Sequence, residues 1–290
     1  MRSLPPTLTE RAALAAYVED CATRIDGRLG VFIGYPNGPE FTDFDTVVSQ
    51  QAAQPYASAS LIKLLVLRAL YSRYDSSLHL LDQRQTISEQ NQVAGTGVLH
   101  LFDRPNPSLR DLAQAMIAIS DNTATNQLID HLGMSAVNDA AADLGMSDTH
   151  LGRKMMASLE TDSNRDRTSS ESDTMKPVNT TSPRDCAIFF AALCHGRGQS
   201  STAKAEQRDM LRAQKDNSMF SRYLPYDYPV AHKTGWLPDA ALDAGLVELD
   251  DSSPLVFATF CDQAENAGDA TDLIAEIGAA TRAWLEHDRP

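Results

Sequence analysis

The apolar positions change period along the chain, and the changes divide it into three parts. Leu14, Val18, Cys21 and Ile25 recur on one helical face, which predicts an amphipathic helix over Thr7–Ile25. Thr7 and Glu10 have the spacing of a capping box at its start. Two runs rich in β-branched and aromatic residues, Leu29–Tyr35 and Thr42–Val48, predict strands. The middle of the chain reads as helical, including Leu64–Tyr71, Leu109–Ile119 and Ala124–Leu132. Strand patterning returns near the end. Val230–Trp236, Ala244–Glu248 and Leu255–Cys261 read as a meander with turns at Pro238-Asp239 and Asp250–Ser253. Ile274, Ile277, Thr281 and Trp284 share a face of a last helix over Ala270–Glu286.

Strands at both ends with helices between them imply that the two termini build one sheet. The expected architecture is α+β, an α/β sandwich. A five-stranded antiparallel sheet is flanked by terminal helices, and an all-α lobe is inserted into it. Within one domain, residues 1–58 and 216–290 are assigned to the α/β lobe and 59–215 to the helical lobe. Ala157–Lys176, dominated by Ser, Thr, Asp, Glu and Arg, reads as the most disordered stretch.

A length of 290 residues is enough to bury a substantial core. The net charge of −14 argues against a nucleic-acid or anionic-membrane partner. Asp outnumbers Glu by 28 to 11 and Arg outnumbers Lys by 19 to 6, a bias that fits a highly solvated acidic surface and equally a high-GC genome. Cys21, Cys186, Cys194 and Cys261 form no close metal-ligand pattern and read as buried free thiols, so neither a metal nor a cofactor is expected. No apolar run reaches the length of a transmembrane helix. Met1-Arg2-Ser3-Leu4-Pro5-Pro6 lacks the apolar core of a signal peptide. The chain as it stands is therefore expected in the cytoplasm, or outside it if a leader was removed, and as a monomer acting on a small molecule.

Candidate chemistry begins with two S-x-x-K matches, Ser60-Leu61-Ile62-Lys63 and Ser201-Thr202-Ala203-Lys204. Ser60 opens an apolar run through Leu67, the start of a buried helix, and Lys63 falls one turn away on the same face. A lysine inside such a run is destabilising unless paired or neutral. A neutral amine beside a hydroxyl is what base-activated nucleophilic attack requires. Ser201 lies in a polar stretch that reads as a loop or exposed helix start. Ser60 is therefore the candidate nucleophile, although a serine there is also an ordinary helix cap. Ser120-Asp121-Asn122 and Lys233-Thr234-Gly235 follow in order.

Together these motifs identify the chain as resembling the class A β-lactamase-related serine hydrolases, from about residue 10 to 286. Ala94–Leu99, Met116–Asn126 and Asn179–Asp185 are similar to further family segments. The resemblance implies a β-lactamase/transpeptidase-like fold with the site between its lobes. It assigns Ser60, Lys63, Ser120 and Lys233 as catalytic, with Lys63 the base or relay and Ser120 passing a proton to the leaving nitrogen. It assigns Asn122, Thr234, Gly235 and Trp236 to substrate binding, with backbone N–H groups of Ser60 and Trp236 as the oxyanion hole.

Two departures shape the expected activity. The family's Ω-loop carries a glutamate that activates the deacylating water, two residues past an arginine. Aligning Leu151-Gly152-Arg153 on that arginine puts Met155 at the acid position and Leu159 at a nearby asparagine position. Arg153 would clasp Asn179 where the family has an aspartate. Glu160, Asp162, Glu171 and Asp173 are other loop acids, and no spacing selects one. No arginine occurs between Arg222 and Arg282 to bind a substrate carboxylate beside the third motif. The expected activity is acyl-serine hydrolysis of a β-lactam or related amide or ester, with slow deacylation. The alternatives are a penicillin-binding, D-Ala-peptidase-like or esterase activity, and a non-catalytic ligand-binding protein on the same scaffold. Ser60→Ala is expected to abolish covalent labelling by a fluorescent penicillin and Ser201→Ala to leave it intact. Labelling that survives Ser60→Ala would refute the choice of nucleophile.

Overall fold

The computed structural model describes residues 8–157, 178–195, 198–249 and 253–288. The chain opens with α1 (Arg11–Arg24) and the antiparallel pair β1 (Arg28–Pro36) and β2 (Phe44–Gln50). A two-residue strand β3 (Tyr56–Ala57) and a 3-10 turn (Ala59–Leu61) lead into α2 (Ile62–Tyr74). Helices α3 (Leu109–Ala118), α4 (Asn122–Leu132) and α5 (Met134–Leu144) follow. The two-residue β4 (Thr180–Thr181), which pairs with β3, precedes α6 (Pro183–Cys194) and α7 (Ser201–Arg212). The chain closes with β5 (Val230–Leu237), β6 (Ala240–Val247), β7 (Leu255–Asp262) and α8 (Ala267–Asp288).

The large sheet has five strands in the order β2-β1-β7-β6-β5, each pair antiparallel. Strand β1, from the start of the chain, lies between β2 and β7, so the two ends of the sequence meet in the middle of one sheet, as expected. Both faces of that sheet are covered. Val31, Ile33, Phe257 and Cys261 face a core shared with Leu14 and Val18 of α1 and Ile274, Ile277 and Trp284 of α8. Phe32, Leu242, Ala258 and Phe260 face a second core continuous with α2, α3, α4 and α6. Burial on both faces leaves every residue of β6 and β7 buried, so neither strand alternates apolar with polar positions.

The structure refines several expectations. Strand β6 begins at Ala240, four residues before the expected Ala244, because the turn at Pro238-Asp239 is tight and pairing resumes at once. The segment around Ser201 is the first turn of a full helix. Ser200 caps it by accepting from the Ala203 N–H at 3.2 Å, while Ser201 is exposed and Lys204 is buried with its ammonium on the His195 carbonyl. Helices α5 and α6 were not distinguished in the sequence. Helix α6 carries a start signal, Ser182 accepting from the Asp185 N–H at 3.1 Å with Pro183 in its first turn. It then runs apolar on all sides because it is buried between the sheet and the helical lobe. Thr7 lies outside the described residues, as do residues 158–177 of the polar stretch and 250–252 of the last expected turn.

Helix α8 approaches the 3-10 turn Phe220–Tyr223 so closely that a Cβ on Gly278 would sit 2.0 Å from the Phe220 carbonyl oxygen. Backbone cannot yield there as a flexible side chain would. Gly278→Ala is expected to destabilise the fold by about 2 kcal/mol or more through overpacking, read as a lower midpoint in thermal or denaturant unfolding. An unchanged midpoint would contradict this reading of the α8 contact.

Candidate functional site

Ser60 lies in the 3-10 turn before α2, so its side chain stands at the mouth of the helix rather than within it. Its neighbour Ala59 has φ +45°, and Ser120 has φ +58°. Two non-glycine residues in the left-handed region flank the same site. Strain of this kind persists only where surrounding structure imposes it.

Both motif serines converge on Lys63, which is fully buried on the first turn of α2. Its Nζ lies 3.1 Å from Ser60 Oγ, 3.0 Å from Ser120 Oγ, 2.7 Å from the Ser120 carbonyl and 2.8 Å from Asn122 Oδ1. Burial lowers the Lys63 pKa well below the ordinary 10.5, the charge of Lys233 lowers it further, and Asp121 opposes the shift. A neutral amine has two N–H donors and one lone pair. The Ser120 carbonyl and Asn122 Oδ1 can only accept, and they take the two donors at the shortest distances. The lone pair is left for a serine hydroxyl, which is the arrangement of a general base.

Asp121, fully buried between Ser120 and Asn122, locks this geometry. Its carboxylate accepts from the Ala124 N–H at 2.8 Å, capping α4, and from the Val98 and Leu99 N–H groups at 2.7 and 2.9 Å. Thr96 Oγ1 donates to the Ser120 carbonyl at 2.6 Å. One short loop is thereby fastened to the turn that carries Ser120 and Asn122.

The opposite wall is β5. Lys233 is fully buried and its Nζ donates to the Thr234 carbonyl at 2.8 Å. Burial depresses its pKa to about 7, against the pull of Asp216 and Asp243. A Cβ on Gly235 would lie 3.1 Å from Ala59 Cβ and 3.2 Å from the Ser60 nitrogen. Glycine thus lets β5 run alongside the backbone of the nucleophile turn. The β5–β6 register is continuous through Gly235, which rules out the β-bulge that a strand glycine also permits. Behind the wall, buried His232 Nδ1 pairs with Asp243 Oδ1 at 2.9 Å.

These groups border a cleft of about 890 Å³ that Ser60, Ser120, Asn122, Thr234, Trp236 and Met155 all line. Met155 is held through its backbone, its N–H donating to Asn126 Oδ1 at 2.8 Å and its carbonyl accepting from Asn126 Nδ2 at 3.1 Å. The expected tie between Arg153 and Asn179 takes a different form. Asn179 Oδ1 accepts from the Gly152 and Arg153 N–H groups at 2.9 and 3.0 Å, and its Nδ2 donates to the Arg153 carbonyl at 3.1 Å. The clasp uses backbone, which an amide serves better than a carboxylate because it both accepts and donates. Glu160, Asp162, Glu171 and Asp173 lie outside the described residues.

The sequence reading missed Asp216. Its carboxylate accepts from Trp236 Nε1 at 2.7 Å, from Ser218 Oγ at 2.6 Å, from the Ser218 N–H at 3.1 Å and from the Thr234 side chain. Burial alone would raise its pKa, but these hydrogen bonds outweigh it and hold the carboxyl below the usual range. A lone acid in a polar turn, 20 residues from its indole partner, gives no sequence signal.

Residues 13–285 match the model of a family described as "Beta-lactamase enzyme family". The chain is 28% identical over 287 residues to the beta-lactamase AST-1 of Nocardia asteroides, covering 97% of this chain and 85% of that protein. The crystal structure of a beta-lactamase from Sphaerobacter thermophilus superposes with a TM-score of 0.80 at 29% identity, covering 97% of this chain and all of that one. A mutant of PBP-A, solved as an acyl-enzyme complex with penicillin G, superposes with a TM-score of 0.78 at 25% identity over 98% of this chain and 99% of that one.

The position of Lys233 makes the pH dependence of Ser60 reactivity testable. Its charge is one of two causes depressing Lys63, so removing it raises the Lys63 pKa and narrows the range in which the amine is free. In Lys233→Met, the acid limb of the rate at which a fluorophosphonate labels Ser60 is expected to move to higher pH by roughly one unit. A limb that stays in place would show that Lys63 is not the group titrating.

Proposed function

The chain belongs to the beta-lactamase enzyme family, and on that premise we propose that Ser60 opens the strained amide of a β-lactam to form an acyl-enzyme whose hydrolysis is the slow step. The observation that carries this reading is one buried amine, Lys63 Nζ, within hydrogen-bond reach of both Ser60 Oγ and Ser120 Oγ.

The steps follow from those contacts. As Ser60 Oγ bonds to the carbonyl carbon, its proton passes to the lone pair of Lys63. The developing oxyanion is assigned to the N–H groups of Ser60 and Trp236, a reading supported by the close approach of β5 to the Ser60 nitrogen at Gly235. The intermediate collapses with rupture of the C–N bond. Ser120 delivers its proton to the leaving nitrogen and regains one from the Lys63 ammonium, returning the amine to its neutral form. Asn122 holds Lys63 in line and offers its amide to the substrate side chain. Lys233 keeps the local potential positive, which disfavours the ammonium form of Lys63 at rest.

Breaking the acyl-enzyme requires a base for water, and the described residues of the cleft supply few candidates. A thioether at Met155 takes no proton near neutral pH. Among the described residues that line the cleft, Asp216 is the one carboxylate, and its oxygens are engaged by Ser218, Thr234 and Trp236. These features favour a protein that acylates readily and hydrolyses slowly. The same features support a second reading, a penicillin-binding, D-Ala-peptidase-like protein whose natural acyl donor is not a lactam. A non-catalytic role is disfavoured by the cost of keeping a buried, depolarised lysine where an apolar residue would be more stable.

Incubation with benzylpenicillin, followed by intact mass, is expected to show an adduct on Ser60 that outlasts the free drug. Met155→Glu places a carboxylate on the cleft wall and is expected to speed loss of that adduct by about a hundredfold, the usual yield of a positioned general base. Rapid turnover by the unmodified protein would contradict the slow-deacylation reading. Absence of any adduct would contradict the β-lactam reading itself.

A further inference from the structure

The anion-binding end of the cleft already holds a carboxylate of the protein's own. Thr234 is the residue placed to donate to a substrate carboxylate, and its side chain is hydrogen-bonded to Asp216. Trp236 Nε1, the other donor at that end of β5, is also on Asp216, at 2.7 Å. The position of Asp216 is fixed from several directions. Ser218 donates twice to it. Oδ1 of the intervening Asn217 accepts from His232 Nε2 at 3.2 Å, and the Phe220 N–H donates to Asp243 Oδ2 at 3.1 Å. The turn that carries Asp216 is thus tied to the buried His232–Asp243 pair behind the strand, and the carboxylate cannot swing away without breaking these contacts.

The two arginines that flank the third motif in sequence do not compensate. Arg222 pairs with Asp272, and Arg282 pairs with Glu286 and the Tyr223 carbonyl, and neither lines the cleft. Arg153, Lys154 and Lys215 do line it, and Lys154 is paired with Asp130 at 2.5 Å. It is Asp216, however, that engages Thr234 and Trp236. A substrate carboxylate directed to Thr234 would have to displace the Asp216 carboxylate and then lie beside it, where two like charges at close range repel. An uncharged group with a hydrogen-bond donor, such as an amide N–H or a hydroxyl, meets instead an acceptor ready for it.

We propose that Asp216 is a specificity-determining residue that turns the third-motif end of the cleft against anionic substrates, so that the preferred acyl donors are amides or esters uncharged at that end. This rests on the acyl-serine function proposed above and names the substrate class of the same site. Other cleft features agree with it. Ile119, Leu237, Val178, Met155 and Met156 give walls that suit an apolar, uncharged substrate.

The test compares benzylpenicillin with its methyl ester, which share one reacting ring and differ by one charge. Second-order rates of Ser60 acylation are measured by intact mass for the wild type, Asp216→Asn and Asp216→Ser, with unfolding midpoints confirming that each variant is folded. The expected result is a wild-type preference for the ester and a rise of about tenfold in the acid-to-ester rate ratio in both variants. A purely structural role for Asp216 would slow both substrates together and leave the ratio unmoved. Acylation with an unmoved ratio overturns this inference alone. Acylation by neither form overturns the proposed function and this inference with it.

Discussion

The site depends on the burial of one amine. Lys63 sits in the first turn of a helix that is buried along most of its length, and no carboxylate among the described residues is hydrogen-bonded to it. An ammonium there would lose its hydration without a counter-ion, so the neutral form is favoured, and the nearby Lys233 adds to that preference. The helical lobe supplies the acceptors that orient the amine, and the sheet supplies Lys233, whose charge disfavours an ammonium at Lys63. Chemistry therefore exists only where the two lobes meet, and the fold can be understood as the apparatus that holds them in register.

Two devices hold that register. Asp121 carries one fully buried carboxylate that caps α4 and binds two loop N–H groups, so the helix start, the loop and the turn at Ser120 move as a unit. Gly235 lets β5 slide against the backbone of Ser60 without a side chain between them. The first fixes the base and the relay relative to each other. The second fixes the nucleophile relative to the strand that would receive the oxyanion. Both act directly on backbone groups, which holds atoms more tightly than contacts between flexible side chains.

The parts legible in the sequence were those governed by local rules. Strand runs at the two ends and the amphipathic helices α1 and α8 showed their periods, and the continuity of the sheet across the termini followed from their placement. The apolar run around Lys63 separated it from the decoy at Lys204, whose ammonium is instead satisfied by the His195 carbonyl. Helix α6 escaped because burial on all sides erases the polar face that marks a helix, whereas α5 buries only a narrow stripe, Val137, Ala140, Ala141 and Leu144, made half of alanine. The Asn179 clasp was placed correctly in sequence, but its form was not legible, since hydrogen bonds to the backbone of 152 and 153 leave no trace in side-chain identity. Asp216 was missed for a related reason. Its significance comes from Thr234 and Trp236, which folding brings to it from another element.

The central claim is that Lys63 is an uncharged base in the resting protein. The chain has only 6 lysines, so side-chain carbon-13 or nitrogen-15 labelling and NMR titration can follow each one separately. The account predicts that the Lys63 resonance titrates well below the ordinary 10.5 and apart from the surface lysines. A Lys63 resonance that stays in the ammonium position through neutral pH and titrates with the surface lysines would contradict it.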